Sequence, residues 1–364
     1  MIERIRKSFV SAQECKHGGK VREATSILGA EPLDFSANIN PLGSPPLEDL
    51  VLRELGRIGH YPDNSYLDFC QAAARFVEVD PTNIVPGNGS SELIRLFAEA
   101  TLEEGDTALI PDPTFGEYEN QSSLAGGRIK RMKIGHDGFP LLDESDLLQA
   151  KALFLCNPNN PTGRLLSKNL VADLANKCER TETFLLVDEA FIELSDPEQS
   201  VAQLSPDKDF LFVMRSLTKS FGVPGLRLGF GVTNPVFAKI LNRARIPWSI
   251  SSIASAAGTY LLGCSDYLQL SRAVIQEERE WLISALKDLG LRPQKSNVNF
   301  ILVNMEKTGI ASDILALRTM EQGVLVRDCR SFGMGEKYIR VAVRNREENE
   351  RLIAALERAL QCSD

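Results

Sequence analysis

Three apolar runs near the middle of the chain constrain its fold most. "ALFLC" (residues 152–156), "FLLVD" (184–188) and "FLFVM" (210–214) are continuous rather than alternating. A strand buried on both faces reads that way. Between the first two lies "NLVADLANKC", with the period of an amphipathic helix. From about Pro86 onward, apolar strands alternate with such helices, which implies a mostly parallel sheet covered on both faces. In sheets of that kind, ligands gather beyond the carboxyl ends of the strands. Asn157, Asn160, Asp188 and Lys219 follow the apolar runs and are expected to converge on one crevice.

The 364 residues suit a large domain with a smaller companion. "NINPLGSPP" (38–46) reads as turn-rich punctuation after an N-terminal arm. "YLQLSRAVIQEEREWLISALKDLG" has the period of a long helix that stops at Gly290. "NFILVNM" and "YIRVAVR" then read as strands, and "ENERLIAALERAL" as a closing helix. We expect an arm (1–44) that joins the small domain, a large domain (45–250), and a small α+β domain (251–364).

A net charge of −8 argues against nucleic acid as the main partner. It leaves room for a small anionic substrate in a local basic pocket. The seven cysteines form no C-x-x-C pair, which fits a reducing, cytoplasmic compartment. His17, His60 and His136 lie too far apart in sequence to suggest a metal site, so no metal is expected. "MIERIRKSFVSAQ" lacks the apolar core of a signal peptide, and no apolar run is long enough to span a membrane.

The crevice residues suit a carbonyl cofactor. Lys219, once deprotonated, can form a Schiff base. Asp188 can pair with a protonated pyridine nitrogen and keep that ring an electron sink. Asn160 can donate to a ring oxygen, and Phe115 can stack on the ring face. Gly89, Ser90 and Ser91, at the start of a helix, offer donors to a phosphate. Ser216 and Arg227 flank the lysine and can reach the same group. Glu189 is expected to face a structural partner, Cys156 to pack, and Arg344 and Arg346 to be surface charges.

Taken together, "GNGSSELI", "DPTFGEY", "NPNNPTG", "VDEAF" and "SLTKSFGVPGLRLG" resemble, in order, the pyridoxal-phosphate enzymes of the aspartate aminotransferase fold. The resemblance covers nearly the whole chain. It implies the fold type I architecture: a large domain with a mostly parallel seven-stranded sheet covered by helices, plus a small α+β domain. It makes Lys219 the lysine that holds pyridoxal 5'-phosphate and Asp188 the pyridine partner. It makes Asn160 the ring-oxygen partner, and Ser216 and Arg227 phosphate ligands. Tyr61, in "HYPDNSY", matches a tyrosine that reaches the phosphate of the neighbouring subunit, so a homodimer with shared sites is implied. Many relatives carry tyrosine after "DEA", whereas this chain has Phe191.

Two branches of that fold compete for the reaction. Histidinol-phosphate aminotransferases usually carry "N-E-N-P-x-G", but here "DFSANINPLG" has Ile39 in place of the glutamate. "HGG…REA", "DFSANINPLG", "RIPWSIS" and "VRDCRSFG…YIRVAVR" resemble the L-threonine O-3-phosphate decarboxylases of cobalamin synthesis. That resemblance implies decarboxylation of a phosphorylated amino acid, with threonine phosphate and serine phosphate differing by one methyl group. Arg327 and Arg340 are the expected anion anchors, and His17 and Asn38 are expected to complete the substrate pocket with Asn160. A regulatory protein of this fold would carry a DNA-binding helix pair and a basic patch, and neither is legible here.

Overall fold

The computed structural model describes residues 2–12 and 15–361, so Cys362 lies outside the described residues. After a short strand in the arm, β1 (Leu33–Asp34), come β2 (Ile84–Gly87), β3 (Thr107–Asp112) and β4 (Arg128–Lys133). Then follow β5 (Ala152–Cys156), β6 (Phe184–Asp188), β7 (Leu211–Ser216) and β8 (Gly229–Val232). The last seven form one sheet in the order β2-β8-β7-β6-β5-β3-β4. All neighbours pair in parallel except β8, which runs antiparallel to β2 and β7. The expected seven-stranded, mostly parallel sheet is present.

Burial on both faces explains the continuous apolar runs. Along β6, Leu185 and Val187 join one core with Leu153, Leu155 and Phe69. Leu186 points the other way, into a core with Phe154, Phe212 and Phe97. Successive side chains of a strand face opposite sides, so both sets must be apolar. At the sheet edge the rule lapses. β4 reads "RIKRMK" and buries only Met132, and its charges guard an open edge against pairing with another chain.

The register brings the strand ends together. Cys156 is opposite Asp188, and Asp188 is opposite Met214. Because β8 runs backwards, its first residue, Gly229, lies opposite both Ser216 and Gly87. The exits of β2, β5, β6 and β7 and the entry of β8 therefore share one edge.

The second sheet is antiparallel. It contains β9 (Arg292–Pro293), β10 (Phe300–Asn304), β12 (Arg327–Asp328) and β13 (Tyr338–Ala342), in the order β12-β13-β10-β9. β11 (Val324–Leu325) instead pairs in parallel with β1, and Phe35 enters the same core as Leu282, Leu315 and Leu352.

One boundary differs from expectation. The sequence places the helix Ser252–Leu261 in the small domain, yet Ala254 and Leu261 pack into the large-domain core with Tyr66 and Leu228. The change of core falls within the helix Ser265–Asp288, where Leu268 joins the large core and Leu282 and Leu286 join the small one. Helical periodicity marks an apolar stripe but not the partner that covers it. Among the described residues, no helix is long and apolar enough to cross a membrane.

Candidate active site

A cavity of about 340 Å³ opens at the shared strand edge, between the two sheets and under the N-terminal arm. Lys219 lines it from the one-turn helix Leu217–Ser220, directly after β7. Burial and then the nearby Arg340 and Arg227 lower its pKa to about 8. The amine is thereby closer to its neutral, nucleophilic form at physiological pH.

Asp188 reaches the cavity from the end of β6. One carboxylate oxygen accepts from the Tyr118 hydroxyl at 2.6 Å, and the other accepts from the Ala190 backbone N–H at 2.9 Å. Burial raises the Asp188 pKa to about 6 despite both donors. Such an acid gains most from a cationic partner, and the cavity holds the space for one. Phe115 lines the same wall and meets Tyr118 edge-on, with ring centroids 5.7 Å apart. Asn160 lines the opposite side, and its Oδ1 accepts from Arg340 Nη1. That bond turns the amide so that its N–H₂ remains free to donate to a ligand.

The far end is built for an anion. Ser90 and Ser91 line the cavity at the N-terminus of the helix Ser90–Thr101, where unpaired backbone N–H groups concentrate. Ser216 and Arg227 line it beside them, and the Ser216 hydroxyl meets that of Thr218 at 2.9 Å. Gly89 precedes the helix at φ 76°, and a Cβ there would stand 2.4 Å from Arg227 Nη2. Glycine at that position lets the guanidinium lie against the helix entry.

Four further expected residues come from the arm and the small domain. Arg327 and Arg340 are cross-strand partners on β12 and β13, and both line the cavity. Arg340 donates to the Ser36 carbonyl at 2.7 Å and lies over the Phe300 ring at 5.2 Å. Burial lowers its pKa to about 10. Arg327 donates to the Lys16 carbonyl at 2.5 Å and to the Ser331 hydroxyl at 2.7 Å. His17 reaches the rim because Gly18 packs on the Ser36 backbone, where a Cβ would be 2.5 Å from the carbonyl oxygen. The Cys15 side chain and Glu117 raise the His17 pKa to about 9. Asn38 is buried in the lining, and its Oδ1 has no partner among the described residues.

Two expected residues lie elsewhere. Asn157 does not join the crevice: its amide donates to the Leu166 carbonyl at 3.2 Å and accepts from the Leu166 N–H at 2.8 Å, bracing the loop after β5. A strand-end position alone does not say which way an amide turns. Tyr61 stands outside the cavity, 79% exposed, with its ring 4.5 Å from that of Trp248. Glu189 pairs with the buried Arg215 at 2.8 Å, as a structural residue would. Cys156 lines the cavity, its thiol 3.3 Å from the Pro158 carbonyl, and burial pushes its pKa up. Phe191 stacks edge-on with Phe300, with centroids 5.1 Å apart.

Sequence reasoning missed Tyr118, Thr218 and Ser36. Tyr118 sits three residues after Phe115, so a helix start would have turned both rings to one side. Ser36 contributes a backbone oxygen, for which side-chain identity gives no signal.

Lys219, Arg227, Arg327 and Arg340 surround the cavity, and among the described residues none is ion-paired to a carboxylate. Arg340 Nε is buried without a hydrogen-bond partner. A cavity lined by one buried acid, a lysine, a helix N-terminus with Arg227 beside it, and two further cations without a carboxylate partner among the described residues fits pyridoxal 5'-phosphate. Asp188 would take the pyridine N–H, Asn160 the ring oxygen, Lys219 the aldehyde carbon, and Ser90, Ser216 and Arg227 the phosphate. Fold and site together define a pyridoxal-phosphate-dependent enzyme.

The chain belongs to the aminotransferase class I and II family, which it matches over residues 30–356. It is 37% identical to the threonine-phosphate decarboxylase of Salmonella typhimurium over 355 residues, covering 94% of this chain and 96% of that protein. It is 30% identical to the histidinol-phosphate aminotransferase of Methanothermobacter thermautotrophicus, covering 98% of each chain. Among solved structures, the L-threonine-O-3-phosphate decarboxylase of Porphyromonas gingivalis superposes with a TM-score of 0.82 at 27% identity, covering 91% of this chain and all of that one.

Proposed function

We propose that this enzyme decarboxylates L-threonine O-3-phosphate to (R)-1-amino-2-propanol O-phosphate and carbon dioxide, in the cytoplasm, for the nucleotide loop of cobalamin. The observation that carries the reading is the pair Arg327 and Arg340, cross-strand neighbours lining the cavity with no carboxylate partner among the described residues. A phosphorylated amino acid brings two anionic ends, and two directional cations hold such a molecule in one orientation.

Bound pyridoxal phosphate weakens whichever Cα bond stands perpendicular to its ring, because that bond's electrons can enter the ring system. The protein's part is to choose the bond. Arg340 and Arg327 anchor the anionic ends, while His17 and Asn38 close the pocket from the arm. Asp188 would hold the ring nitrogen of the cofactor in its protonated form. Lys219, not attached to the cofactor while substrate is bound and carrying its proton as the ammonium, would deliver that proton to Cα after carbon dioxide leaves, and would be left as the neutral amine. Burial beneath the arm keeps water from competing for that proton.

The threonine-phosphate decarboxylase from Salmonella supports this choice of bond, as does Ile39 in place of the aminotransferase glutamate. The enzyme works as a homodimer in which Tyr61 of the partner subunit reaches the cofactor phosphate. Tyr61 lies exposed, away from its own cavity, as such a role requires. The test is one incubation of the holoenzyme with L-threonine O-3-phosphate, scored for carbon dioxide, and another with histidinol phosphate and 2-oxoglutarate, scored for glutamate. Carbon dioxide without glutamate is expected, and glutamate without carbon dioxide would make the chain an aminotransferase. Serine phosphate, assayed in parallel, measures what the threonine methyl contributes, expected to be ~1–3 kcal/mol.

A further inference from the structure

At the cavity lining, the fold brings Glu117 to two donor groups, Cys15 and His17, that lie about a hundred residues before it in the sequence. Cys15 and His17 lie in the arm, and Glu117 opens the helix Glu117–Ala125 of the large domain. His17 Nε2 lies 2.9 Å from Glu117 Oε1. The Cys15 sulfur, the His17 nitrogen and the Glu117 oxygen all fall within 4.8 Å of one another. Cys15 sits directly on the helix entry, where a Cβ on Gly116 would be 2.8 Å from the sulfur.

We propose that Cys15, His17 and Glu117 form a binding site for Zn²⁺, and that the bound ion closes the mouth of the cavity to substrate. Thiolate, imidazole and carboxylate are the three ligand types that zinc accepts, with bonds of about 2.0–2.3 Å and a preference for four ligands in a tetrahedron. Three protein ligands leave one position for water or an anion. Glu117 is buried and fixed, because its Oε2 accepts from Gln121 Nε2 at 2.9 Å while Oε1 faces His17. An outer hydrogen bond of that kind orients a ligating carboxylate. Cys15 and His17 are both partly exposed, so their side chains have the freedom to close around an ion. The sulfur selects against hard cations such as Mg²⁺, which take oxygen ligands.

Blockage follows from position. Cys15, His17 and Lys16 line the main cavity, and Cys15 and Lys16 also line a neighbouring pocket with Arg327 and Ser331. An ion shared between the arm and Glu117 would tie the arm against residues that line the cavity. The Lys16 carbonyl, between two of the ligands, is already held by Arg327.

The experiment uses holoenzyme freed of metal with a chelator. Zn²⁺ affinity is measured by competition with a chromogenic chelator, and Co²⁺ is added as a spectroscopic probe of tetrahedral thiolate ligation, read at wavelengths longer than cofactor absorbance. We expect one ion per chain, no competition by Mg²⁺, and at least tenfold weaker binding in both Cys15→Ser and Glu117→Gln. Equal affinity in wild type and Cys15→Ser, or a cobalt spectrum without tetrahedral thiolate character, would overturn the site. The inhibition rests on the decarboxylase reading, whereas binding does not, so the two can fail separately. In the carbon dioxide assay without added metal, Cys15→Ser is expected within twofold of wild type. Added zinc is expected to inhibit wild type and spare the variant. Equal inhibition of both would show that the ion acts elsewhere.

Discussion

The Tyr118 hydroxyl donates to Asp188 at 2.6 Å, and both groups are buried. This bond stabilises the ionised carboxylate, against the burial that raises its pKa to about 6. Removing the donor leaves a carboxylate that is harder to ionise and less able to hold a protonated ring nitrogen. A hydrogen bond to a charged group is worth ~1.5–3 kcal/mol. Tyr118→Phe is therefore expected to lower kcat/KM by roughly 10- to 100-fold at neutral pH. The loss should come with weaker cofactor binding, read from absorbance during dialysis. Unchanged kinetics would show that Asp188 needs no help from Tyr118.

The same carboxylate makes a claim about the apoenzyme. Its folded pKa, about 6, lies above the unfolded value, so the folded state binds more protons between the two. Stability from this group is fully present below the unfolded value and falls as pH rises through about 6. Asp188→Asn removes the dependence. Urea midpoints of apoenzyme are expected to show the variant gaining on wild type as pH rises from 4 to 7, by on the order of 2–3 kcal/mol. Glu117, held at about 2 chiefly by its hydrogen bond from His17, and His17, raised to about 9, are present in both proteins, so the difference between variant and wild type isolates Asp188.

Lys219 and Arg340 separate attachment from anchoring. Lys219→Ala is expected to abolish the visible absorbance of the covalently held cofactor and nearly all turnover. Arg340→Ala is expected to raise KM for the phosphorylated substrate at least tenfold and to change cofactor affinity far less. Its guanidinium also orients Asn160, so Arg340→Lys should recover little, because an ammonium lacks the fork that serves Asn160 and Ser36 together. An unchanged KM in Arg340→Ala would move the anion anchor to Arg327.

Gly89 carries a steric test. Its φ is 76°, and a Cβ would fall 2.4 Å from Arg227 Nη2. Gly89→Ala is expected to push the guanidinium off the helix entry. We expect at least tenfold weaker cofactor binding together with a stability loss of ~1–2 kcal/mol. Fluorescence titration of apoenzyme with the cofactor reads the first, and urea unfolding the second. Wild-type affinity would mean that Arg227 does not grip the phosphate.

The sheet was legible because strands covered on both faces must be apolar throughout, and β5, β6 and β7 satisfy that without interruption. β4 was not, since an edge strand reading "RIKRMK" obeys no such rule. Lys219, Asp188 and Asn160 were legible because strand ends share an edge, whatever the details of packing, and Arg227 because it flanks the lysine in a motif that resembles the family's. Asn157 was misplaced because the same argument says nothing of side-chain direction. The small-domain boundary was misplaced because a helix stripe does not name its partner. The cluster of Cys15, His17 and Glu117 was invisible, as it exists only once the arm folds across the large domain.

Tyr61 offers the test of a shared site. The Lys219→Ala subunit cannot attach the cofactor, and a Tyr61→Phe subunit cannot offer its hydroxyl to a neighbour. If each site takes Lys219 from one subunit and Tyr61 from the other, a hybrid dimer of the two variants contains one intact site. Coexpression with two affinity tags isolates that hybrid. Its carbon dioxide release is expected at about half the wild-type rate per dimer, well above either parent variant. A hybrid no better than the Tyr61→Phe parent per competent lysine would place the tyrosine's effect within its own chain. The exposed ring against Trp248 would then be a surface contact with no part in the neighbour's cavity.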